Sequence, residues 1–113
     1  MPLPTAEEVI QAYQETGMKP INATFGPWEG RCCALGVIAH QKNLLGYEAA
    51  RIFLGVPPET VRAFTFGFDD AFSGNAPGGP NGYSTEDYKA GRAVGEAVRK
   101  AFPGEESARA PDE

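Results

Sequence analysis

The sequence predicts an all-α domain: a small compact array of four to five short helices around a buried central helix at about residues 32–44. Three observations carry this. Apolar residues recur at helical spacing near both ends of the chain. The stretch CCALGVIA is apolar on every side of a helical wheel, the pattern of a helix enclosed by others. And the one segment with a strand-like alternation, Phe64, Phe66, Phe68, has no evident second strand to pair with. The chain has 113 residues, the length of one domain. Its 14 glycines and 10 prolines predict short elements joined by long connections.

The first element is PTAEEVIQAYQETG. Thr5 is placed to cap, Glu8 three residues on completes a capping box, and Gly17 suits a left-handed stop. Ala6, Val9, Ile10 and Tyr13 share the apolar face. A connection punctuated by Pro20, Gly26, Pro27 and Gly30 follows, with room for a short extended piece over residues 21–25 and with Phe25 and Trp28 as core plugs. The buried helix comes next, surfacing at residues 40–43 and stopping by Gly46. YEAARIFLG reads as a short helix. PPETVRAF starts another, with prolines suited to its first turn, continuing to about Phe66. Residues 73–83, SGNAPGGPNGY, have loop composition.

The final helix, STEDYKAGRAVGEAVRKAF, places Tyr88, Ala90, Gly91, Val94, Gly95, Val98, Ala101 and Phe102 on one half of its wheel. The other half holds Lys89, Arg92, Glu96, Arg99 and Lys100, with Glu96 and Lys100 spaced for an ion pair. A glycine costs about 1 kcal/mol in a helix interior, so Gly91 and Gly95 on the apolar side predict close backbone approach to another helix. The packed domain is expected over residues 1–102, and 103–113 as a disordered acidic tail.

Composition excludes several functions. The net charge is −5, and the segment 103–113 accounts for most of it, with four acids against Arg109. The ten Lys and Arg residues form no cluster, so neither nucleic acid nor an anionic membrane is an expected partner. There is no leader-like segment and no apolar run of 18 residues, and the two adjacent cysteines read as reduced thiols, so a cytoplasmic protein is expected.

GRCCALGVIAH contains both cysteines and the only histidine. A thiol at a helix amino end beside Arg31 is a physical case for reactivity, because unpaired N–H groups there favour the thiolate. A dyad with His40 fails. Seven helical residues separate it from Cys33, roughly 10.5 Å at 1.5 Å per residue, where a nucleophile and base need about 2.6–3.2 Å. The expected role of both sulfurs is packing. Cys32, Cys33 and His40 are too few for structural zinc. Asp69 and Asp70 with Asn75 and Asn81 suggest calcium, but the positions counted from Asp69 do not follow a calcium-loop pattern. SGNAPGGPNG lacks the Lys-Ser or Lys-Thr ending of a phosphate loop. No metal or cofactor is expected.

CALG at residues 33–36, GFDD at 67–70 and the Tyr88 to Gly91 step together resemble a group of small bacterial and phage-borne proteins of unknown function. The resemblance spans about residues 28–102 and carries no activity or catalytic residue. It implies an accessory protein of mobile DNA.

The expected function is therefore a non-enzymatic binding or regulatory module working through protein–protein recognition, with a protein partner or a second copy. The aromatic run Phe64, Phe66, Phe68, Phe72 and the Gly91–Gly95 face exceed what one small core readily hides, which points to a homodimer or partner interface. Candidate binding residues are Trp28, Cys32, His40, Phe66, Phe68, Asp69 and Asp70, with Gly91 and Gly95 at the interface. Two other classes stand beside this one. One is an enzyme using Cys32, Cys33 or the two aspartates in a cleft roofed by Trp28. The other is a small-molecule binder with an aromatic-lined pocket.

Overall fold

The computed structural model describes residues 3–21, 30–42, 58–75 and 86–105. Among them are four helices, α1 (Ala6–Thr16), α2 (Ala34–Gln41), α3 (Pro58–Phe72) and α4 (Glu86–Ala101), and two very short strands, β1 (Lys19–Pro20) and β2 (Arg31–Cys32). The molecule is mostly helical, as expected, but not all-α.

Local chemistry explains α1. The Thr5 N–H donates to Glu8 Oε1 at 2.9 Å and the Glu8 N–H donates to Thr5 Oγ1 at 3.2 Å, closing the capping box. Gly17 ends the helix at φ 73°, its N–H returning to the Tyr13 carbonyl. Val9, Ala12 and Tyr13 are buried.

β1 and β2 pair in parallel, Lys19 opposite Arg31 and Pro20 opposite Cys32. The Lys19 N–H donates to Gly30 and the Ile21 N–H to Cys32. Donors on this strand thus come from residues 19 and 21, and Pro20, which has no N–H, falls where none is needed. Sequence reading places an extended piece later, over 21–25. Pairing begins earlier because Lys19 and Ile21 find carbonyl acceptors on a segment eleven residues downstream. Strand pairing also moves the start of the buried helix. Cys32 belongs to β2, Cys33 is an extended N-cap, and α2 begins at Ala34 rather than 32. Every residue from Ala34 to Ala39 is buried.

α3 runs through the ambiguous aromatic stretch to Phe72, six residues beyond the expected end. Its helical period buries Phe64, Phe68 and Phe72, and the rings of Phe68 and Phe72 stack at 5.6 Å. Gly74 closes it at φ 83°, with its N–H on the Ala71 carbonyl and the Asn75 N–H on the Asp70 carbonyl. These two bonds are the Schellman arrangement, and they satisfy carbonyls that a helix end otherwise leaves open.

α3 and α4 cross backbone against backbone. A Cβ at Gly95 would lie 2.6 Å from the Phe68 carbonyl oxygen, one at Gly91 would overlap the Phe64 carbonyl, and one at Gly67 would overlap that of Tyr88. The close approach expected for Gly91 and Gly95 is present, and the neighbour is α3 of the same chain. Of the residues expected on the apolar half of α4, Ala90 and Ala101 are exposed. Glu96 pairs with Arg92 at 3.5 Å, not with Lys100.

α1 packs against α2 and α4. Tyr13 meets Phe102 edge-on at 5.5 Å. The described residues continue to Glu105. Glu105 accepts from Arg31 Nη1 at 2.6 Å and faces Lys19 Nζ at 3.5 Å, which ties this point of the chain to both strands. Residues 106–113, Phe25, Trp28, Asn81 and the helix expected in YEAARIFLG lie outside the described residues.

Candidate functional site

The eleven-residue segment with the cysteines and histidine is the first place to look. Cys32 is 0% exposed and Cys33 3%. The Cys32 thiol lies 3.7 Å from Met18 Sδ, and the Tyr13 hydroxyl donates to the Cys32 carbonyl at 2.7 Å. Burial pushes both thiols up to about 12. For Cys33 the nearby Asp69 carboxylate adds to that, while the backbone N–H groups of Gly36 and Leu35 pull the other way. The helix-terminus effect that would activate a thiol is therefore present, and desolvation outweighs it. Tyr13 is raised as well, first by burial and then by Cys33, Cys32 and Asp69.

His40 does not join this group. It sits in the last turn of α2, and its Nδ1 is buried without a hydrogen-bond partner among the described residues. No cluster of three His, Cys, Asp or Glu side chains suited to a metal occurs among the described residues.

The two aspartates part company. Asp70 is 6% exposed and accepts from the Tyr88 hydroxyl at 2.7 Å, across the α3–α4 contact. Asp69 is half-buried and acts electrostatically on Cys33 and Tyr13. Neighbours on a helix point about 100° apart, so these carboxylates face different elements and form no acid–base pair. Phe68 is in the core, and Phe66 is half-buried. Gly91 and Gly95 are buried against α3. One small core does hide the glycine face and three of the four phenylalanines, because α3 is a continuous helix that turns Phe64, Phe68 and Phe72 inward.

A surface feature that sequence reading missed lies between the end of α3 and the C-terminal half of α4. It is a groove of about 430 Å³, bounded by Ala71, Gly74 and Asn75 on one side and Arg92, Arg99 and Lys100 on the other, with Glu96 and Pro103 completing it. Arg92 Nη1 donates to the Asn75 carbonyl at 3.0 Å while Nη2 faces Glu96 at 3.5 Å. Arg99 lies across the Gly74 turn, where an added Cβ would be 3.2 Å from its Cζ. Arg99 and Lys100 are exposed, and no ion pair among the described residues uses either. Arg92 and Arg99 are seven residues apart, two turns of one helix face. That spacing was visible in the sequence, but the turn they lie against belongs to another element.

No family model matches the chain, and the searches of curated proteins and of solved structures give no match. The functional reading therefore rests on this geometry. No helix among the described residues is long and apolar enough to cross a membrane.

Proposed function

We propose that this protein is a small binding module that recognises a protein partner through its surface and carries out no covalent chemistry of its own. One observation carries the reading. Among the described residues both thiols and Asp70 are enclosed, with Asp70 bonded to Tyr88, and Asp69 and His40 do not join them in a cleft, whereas Arg99 and Lys100 face solvent. A thiol pushed up to about 12 is protonated at neutral pH, and the thiolate is the reactive form. Reduced, buried cysteines fit a cytoplasmic setting, and an accessory role in mobile DNA rests on the short-motif resemblance alone.

Thiol labelling of the native protein tests the reading. Both cysteines should react only as the chain unfolds, with no fast phase at pH 7. Rapid labelling of either thiol in the folded protein would restore the enzyme reading. A second copy is a competing partner. Sedimentation over a wide concentration range decides it, since the α3–α4 glycine face is already occupied within one chain.

A further inference from the structure

We infer that the groove between the end of α3 and the C-terminal half of α4 is a docking site for an acidic protein segment, whose carboxylates are taken by Arg99 and Lys100. This rests on the binding-module reading and names its partner by chemistry.

The charges lining the groove are not equally available. Arg92 is committed to the Asn75 carbonyl and pairs with Glu96 at 3.5 Å, so it builds the wall of the groove. Arg99 could instead serve only to quiet the carbonyl end of α3. That end, however, already has its own hydrogen bonds: the Ser73, Gly74 and Asn75 N–H groups return to Asp69, Ala71 and Asp70. Gly74 holds a left-handed φ of 83°, and its missing side chain leaves the space Arg99 occupies. The guanidinium is thus laid along the turn, which lowers the ordering cost of binding.

Charge and geometry select the occupant. Arg99 and Lys100 are consecutive on a helix and diverge by about 100°, so they do not converge on one phosphate. They suit two separate carboxylates on a chain that can adapt. A nucleic-acid backbone is disfavoured because the ten Lys and Arg residues form no basic stripe to follow it.

The test is a titration of the labelled full chain with an acetylated, amidated octaglutamate, followed by amide chemical shifts. Shifts should concentrate at Gly74, Asn75 and residues 96–103. Replacing Arg99→Gln together with Lys100→Gln should weaken binding at least fivefold, whereas Arg62→Gln with Lys42→Gln, an equal charge loss at exposed positions elsewhere, should change it less than twofold. Lys100→Gln alone, on an exposed side chain, should weaken binding by at least twofold and guards against misfolding of the double variant. Absent shifts, equal loss in both double variants, or the same shifts from inorganic phosphate at equal concentration would overturn the assignment. If it fails while both cysteines stay protected, the groove is wrong and the binding-module reading stands. Fast cysteine labelling would remove that reading instead.

Discussion

The two halves of this molecule are held together in different ways. At the α3–α4 crossing, glycine faces carbonyl: Gly67, Gly91 and Gly95 bring two backbones so close that no side chain fits between them. In the α1–β–α2 half the contact is made by side chains, reaching for backbone carbonyls or for one another. The Tyr13 hydroxyl satisfies the Cys32 carbonyl, Arg31 bonds Glu105 and the Pro20 carbonyl, and Gln41 bonds Glu15. A backbone seam cannot yield, because the atoms in the way are part of a helix. A side-chain contact can be trimmed and loses only what that group contributed. The first half should therefore punish added atoms, and the second should punish removed ones.

The largest effect should come from adding one methyl to the seam. Gly91→Ala is expected to destabilise the protein by about 3 kcal/mol, since overpacking against an immovable carbonyl outweighs the roughly 1 kcal/mol that alanine gains as a helix former. The neighbouring Ala90 is exposed, and Ala90→Gly should cost only about 1 kcal/mol. Denaturant unfolding of the pair measures the contrast, and similar losses from both would show that the seam can open.

Next is Tyr88→Phe, which leaves the buried Asp70 carboxylate without that donor. A loss of about 2–3 kcal/mol is expected by chemical denaturation. Tyr13→Phe removes a neutral bond to a buried carbonyl and should cost about 1–2 kcal/mol. If Tyr13→Phe costs more than Tyr88→Phe, the ranking of charged over neutral acceptors fails here.

The smallest effect belongs to Glu105→Gln, about 0.5–1 kcal/mol for a partly exposed ion pair. The hydrogen bond from Arg31 is the main cause holding the Glu105 carboxyl below its ordinary 4.5. A carboxyl depressed in the folded state stabilises above its unfolded value and loses that contribution as pH falls through the folded one. The wild-type advantage over Glu105→Gln should thus be complete above about pH 5 and disappear on acidification below 4.5. An advantage that persists at pH 2 would mean that Glu105 acts by packing, not charge.

These contrasts also show which parts could be read in advance. The ends of α1 were legible because Thr5, Glu8 and Gly17 act within one or two turns of themselves. The glycine face of α4 was legible because a costly residue repeated on an apolar side implies a neighbour. The end of α3 was not, since Phe64, Phe66 and Phe68 fit a strand as well as a helix until Gly67 meets Tyr88 on another element. The start of α2 was misplaced for a similar reason. Whether Cys32 is strand or helix depends on Lys19 and Pro20, and nothing local to CCALG reveals them. Thr5, Asp69 and Arg99 are all ordinary polar residues in the sequence; only the last two acquire their surroundings from distant segments.

Local rules, then, were enough to establish a small, mostly helical chain with a buried CALGVIA segment and thiols suited to packing, because capping and periodicity operate over a few residues. Three things waited for the chain to close on itself: the parallel pairing of β1 with β2, the divergence of Asp69 from Asp70, and the cationic groove across Gly74. Each is set by which backbone groups meet from far apart in the chain, and no spacing within one segment encodes that meeting.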